Sequence, residues 1–126
     1  MTDPRPPLAA FDDGTFESVA GETGFTAGEL RELARRHQEG VRDLPGVDNI
    51  VYEWRNHFHM DPLLTRTDAV YVLALRGHVW QEFADRMELS PGELGALKAV
   101  HDRQARGLVE ATGRLDNDPA LVLARP

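Results

Sequence analysis

The chain contains no cysteine, and Lys98 is the single lysine among its 14 basic residues. Without cysteine there are no disulfide scaffolds, thiolate zinc sites, thiol nucleophiles or Cys-ligated clusters. No apolar run approaches the roughly 20 residues that cross a bilayer, and the opening MTDPRPP has neither the charged start nor the apolar stretch of a secretory signal. A cytoplasmic protein with no membrane partner is the expectation. Serine is limited to Ser18 and Ser90, and no GxSxG, Walker loop, GxGxxG or HExxH occurs. Enzymatic activity is therefore not expected, and no cofactor is implied.

What is present fits one domain of 126 residues. Asp plus Glu number 21 against 14 for Lys plus Arg, a formal charge of −7. Arginine in place of lysine under an acid excess matches proteins whose solubility is tuned to high salt, with the codon bias of a GC-rich genome as the alternative source of the arginines. Asp3, Asp12, Asp13, Glu17 and Glu22 against Arg5 place −4 of that charge in residues 1–24, so the rest of the chain is nearly balanced. Pro4, Pro6 and Pro7 mark residues 1–12 as an extended, flexible acidic leader before a domain spanning 13–126.

Helix signals are strong at two places. Phe25-Thr26-Ala27-Gly28-Glu29-Leu30 and Leu89-Ser90-Pro91-Gly92-Glu93-Leu94 each combine a capping box with a hydrophobic staple. The first opens a helix with Leu30, Leu33, Ala34, His37 and Val41 inward, ended by Leu44-Pro45-Gly46. The second carries Leu94, Leu97, His101, Ala105 and Leu108 inward and stops at Gly113. Asp48 caps a helix through Ile50, Val51, Trp54 and Phe58, with a strand over Ile50–Tyr52 as the competing reading. Thr67 or Asp68 caps a long central helix to about Met87, with Gly77 in its interior, and a short helix covers Thr15–Ala20. Together these predict an all-α domain of four or five helices.

A shift of 64 residues lays FESVAGETGFTAGELRELARRH over WQEFADRMELSPGELGALKAVH, matching Ala20 with Ala84, Leu33 with Leu97 and His37 with His101. Any helix opened by a capping box and staple shows much of this pattern, so convergence is the leading reading and a duplicated helical hairpin the alternative. Both copies resemble the DNA-binding helix-turn-helix motif in their small residue, turn and buried leucines: Ala20, Gly24, Phe25, Thr26, Leu30 and Leu33, then Ala84, Leu89, Ser90, Leu94 and Leu97. In the second copy Glu88 replaces the turn glycine, and Pro91, Gly92, Glu93 and Ala96 are no base readers. In the first, Arg31, Arg35, Gln38 and Arg42 recur at helical spacing and form the candidate DNA face. Glu29, Glu32 and Glu39 among them also fit a solvated face with local ion pairs.

Glu53, His57, His59 and Asp61 crowd one segment and are the candidate metal ligands for an enzyme or sensor. His37 and His101, on inward stripes, read as core histidines. The stretches VRDLPGVDNIVYEWRNHF and HVWQEF resemble a family of small proteins of unknown function from salt-loving archaea, a likeness that transfers no activity. The leading expectation is a non-enzymatic regulatory or adaptor protein. It would bind another protein or itself through Tyr52, Trp54, Phe58 and Trp80, with Ala120–Ala124 docking on its own core or on a partner. A DNA-binding regulator is the alternative, with the histidine cluster as the third reading.

Overall fold

The computed structural model describes residues 5–43, 46–58, 60–110 and 112–126. Five helices and three strands follow one another as α1 (Asp13–Thr23), α2 (Ala27–Asp43), α3 (Val47–His57), β1 (Leu63–Arg66), β2 (Val70–Ala74), α4 (Gly77–Met87), α5 (Pro91–Leu108) and β3 (Ala120–Ala124), with a 3-10 turn at Gly113–Asp116 before β3. The strands form an antiparallel sheet in the order β1-β2-β3, with Tyr71 opposite Leu123 and Val72 opposite Val122. The all-α expectation is overturned: the fold is mostly helical but is built around this sheet.

Two of the three strands, β2 and β3, are buried on both faces. Every residue of β2 and of β3 is buried, so neither strand shows the alternation that distinguishes a half-buried strand from a helix. Thr67 added to the ambiguity. Its Oγ1 accepts the amides of Ala69 and Val70 at 3.1 Å, and its own amide donates to Val70 O. That is the chemistry of a helix cap, used here to close the β1–β2 hairpin. The long helix expected from Asp68 to Met87 is thus β2 followed by α4. Gly77 opens α4 rather than kinking a helix interior.

Both capping boxes form as read. Thr26 and Glu29 exchange two bonds of 3.1 Å, and Ser90 and Glu93 exchange bonds of 2.9 and 3.1 Å. The α1–α2 and α4–α5 corners turn on residues 64 apart that share the left-handed region, Gly24 at φ 81° and Glu88 at φ 57°. Residues 47–57 are helical rather than a strand, and α3 starts after Gly46, which leaves Asp48 inside its first turn. The proposed stop at Leu44 and Pro45 lies outside the described residues. At the other end α5 finishes at Leu108, short of Gly113, and Leu108 is 40% exposed rather than inward. Phe11 is buried against Phe16 and His101, so the packed body begins before the expected boundary at residue 13.

The outer edge of β3 explains the buried polar residues. Gln38 on α2 spans the strand, its Nε2 donating to Val122 O and its Oε1 accepting from Ala124 N, both at 2.8 Å. Val122 N donates to His101 Nδ1 at 3.0 Å, Trp80 Nε1 donates to Ala120 O at 3.2 Å, and Arg42 reaches Ala124 O at 3.3 Å. An unpaired strand edge invites pairing with another chain. Here four side chains from three helices, α2, α4 and α5, occupy its donors and acceptors.

Candidate functional site

Pairing at the β3 edge removes several expected site residues from the surface. Gln38, expected on the DNA face, is buried on the strand. Arg35 lies between Glu32 and Glu39, which raise its pKa further by hydrogen bonding. Arg31 sits over the Phe16 ring and pairs with Asp13, and Arg42 donates to Arg5 O, Pro6 O and Ala124 O. These four residues make no continuous basic face. Trp80, expected at an interaction surface, is fully buried. Trp54 and Phe58 are half-buried, with Trp54 edge-on to Phe83 and Phe58 edge-on to His78.

The matched histidines meet in the core. His37 and His101 lie edge to face with ring centroids 5.1 Å apart, among Trp80 and Phe83. Burial lowers the His37 pKa to about 3, and burial together with His37 drives His101 well below the usual value. Both rings are therefore neutral at pH 7. Because His101 Nδ1 accepts from Val122, its proton is assigned to Nε2.

Of the proposed metal ligands, His59 lies outside the described residues. Glu53 and His57 are exposed on α3, and Asp61 is claimed by Arg55. Among the described residues no three His, Asp or Glu side chains gather as a metal-holding group.

A concave site lined by charged residues lies between α3 and the β1–β2 hairpin. It is a pocket of about 370 Å³, within the lower part of the range for small-ligand sites. Asp48, Val51, Tyr52, Arg55 and Asn56 line it from one face of α3, at the spacing of successive helical turns. Asp61, Arg66 and Tyr71 complete it. Val51 closes the floor as a buried residue.

Most of the lining charges are neutralised in place. Arg55 grips Asp61 through bonds of 3.1, 3.1 and 2.9 Å, which hold the Asp61 carboxyl below its usual pKa, and the amide of Leu63 adds a further bond. The Tyr71 hydroxyl donates to Asp48 at 2.5 Å, while Arg125 lies 3.8 Å from that carboxylate and 4.8 Å from the Tyr71 ring centre. Burial, and then the Asp48 contact, raises the Tyr71 pKa. The Arg66 guanidinium, on the strand position opposite Tyr71, has no ion-pair or hydrogen-bond partner among the described residues. Tyr52 is 70% exposed at the mouth of the pocket.

Of these α3 residues the sequence singles out Asp48, as a cap, and Tyr52, as a contact residue, but not Arg55 or Asn56. Arg66 and Tyr71 were not recognisable as their partners while residues 68–87 read as one helix.

No helix among the described residues is long and apolar enough to cross a membrane. No curated protein and no solved structure matches the chain significantly. One family does match, over residues 9–125, which takes in the core, the sheet and the pocket. The chain belongs to that family, described as a domain of unknown function (DUF8048).

Proposed function

We propose that this is a non-enzymatic adaptor or regulatory module of the cytoplasm that docks another protein on the face formed by α3 and the β1–β2 hairpin. The carrying observation is Tyr52, standing 70% exposed at the rim of a polar pocket that also holds Arg55 and Arg66. Tyr and Arg are residue types enriched at interface centres, and an exposed Tyr offers large contact area at low entropic cost. Arg-for-Lys usage and the −7 charge favour a salt-adapted setting.

A different protein suits this face better than a second copy. A two-fold contact centred on the pocket would set Arg66 against its own image, and like charges at an interface are unfavourable. Photo-crosslinking from a benzoylphenylalanine at position 52 in living cells, with position 17 on α1 as control, is expected to give one recurrent heteromeric adduct from position 52 alone. Once that partner is purified, Tyr52→Ala should weaken its affinity at least about tenfold, the effect of losing an interface anchor. Equal labelling from both positions, a self-adduct, or unchanged affinity of the variant would refute the proposal.

A further inference from the structure

We infer that the pocket between α3 and the β1–β2 hairpin is a receptor for a single carboxylate, anchored by Arg66 and supplied by the partner as an acidic side chain or chain end. The inference rests on the docking reading for the carboxylate's source, but its chemistry follows from the lining residues. Asp61 is satisfied by the two-pronged grip of Arg55. Asp48 is satisfied by the Tyr71 hydroxyl, with Arg125 beside it. Arg66 is then the one lining charge without a counter-charge among the described residues.

A guanidinium offers a planar fork of donors that matches a carboxylate, often with two bonds at once. The rest of the lining limits the ligand to one negative charge. With Asp48 and Asp61 already partnered, Arg66 leaves one positive charge to be matched, and a doubly charged phosphate would keep a second negative charge unmatched in the same pocket. Asn56 adds an amide able to donate to the second carboxylate oxygen, and Tyr52 supplies a ring and hydroxyl at the rim. The apolar floor at Val51 suits the short aliphatic stem that carries an acidic group.

The test uses the full chain and three probes in NMR titrations at constant ionic strength. N-acetylaspartate N-methylamide stands for an acidic side chain, N-acetylalanine for a chain end, and inorganic phosphate for a dianion. At least one carboxylate should give saturable shifts confined to residues around 52, 55, 66 and 71. Arg66→Gln should weaken that binding at least tenfold, and Arg66→Lys should restore part of it. Which carboxylate binds tighter identifies the source. Phosphate binding above both carboxylates, shifts unaltered by Arg66→Gln, or no saturable shift with either carboxylate would overturn the assignment. A Tyr52 adduct that persists when carboxylate binding fails removes this inference alone, whereas carboxylate binding without any adduct removes the docking reading instead.

Discussion

Gln38 shows how far one side chain can be committed by its surroundings. It stands on α2 between charged neighbours and has the composition of a solvated helix face, yet its amide replaces a missing strand along β3. Removing that amide leaves Val122 O and Ala124 N buried without partners, at about 1–3 kcal/mol each. Gln38→Leu is therefore expected to lower stability by about 2–5 kcal/mol, read as a shift in the urea midpoint. Gln38→Glu should fall short of wild type as well, because a carboxylate oxygen would face the Val122 carbonyl. The neighbouring histidines set a pH dependence with a definite sign. His37 titrates near 3 in the fold and His101 well below its usual value, whereas in the unfolded chain each accepts a proton near pH 6.5. Between those limits the unfolded state binds more protons, so stability is full above about pH 6.5 and is lost as pH falls toward 3. The slope approaches about 1.4 kcal/mol per pH unit for each imidazole. Denaturation midpoints between pH 7.5 and 4.5 should decline steeply in the wild type and less steeply in His37→Leu. A variant slope equal to that of the wild type would show that His37 does not carry the effect.

At the scale of elements, local chemistry was readable and burial was not. The boxes at Thr26 and Ser90 announce α2 and α5 because a cap is a short-range hydrogen-bond pattern written in neighbouring residues. The strands β2 and β3 carried no such local mark. Their all-apolar runs report only that both faces are covered, and the sheet becomes visible when Val70–Ala74 is paired with Ala120–Ala124 across an intervening 45 residues. The 64-residue repeat likewise gained a physical counterpart. Its two corners place Gly24 and Glu88 in the same left-handed conformation, and its matched histidines face each other. Only one of the corners has a residue suited to that backbone. Glu88→Gly is expected to stabilise the chain by up to about 1 kcal/mol, and Gly24→Ala to cost about that much or more. Thermal melts of the two variants should move in opposite directions.

Across the whole molecule, polar groups divide by where their partners lie. The helix side chains directed at β3 are consumed in closing its edge, and Arg31, Arg35 and Arg42 are held by internal partners. The face of α3 turned toward β1 and β2 differs, since it keeps a pocket, an exposed Tyr52 and the unmatched Arg66. Part of that site was legible, because Tyr52 and the Asp61 carboxylate stood out in the sequence. The role of Asp61 was not, since its grip by Arg55 depends on how the chain turns after α3. Nor were Trp80 or Gln38 legible as buried, since both are claimed by a strand that the sequence did not mark. The most direct measurement of the central claim is hydrogen exchange of the full chain, alone and with the partner recovered through position 52. Protection on binding is expected over α3 and the hairpin, residues 47–57 and 63–71, with α2 unchanged. Protection confined to α2, or spread over the α4–α5 corner, would place the docking face elsewhere and contradict the account.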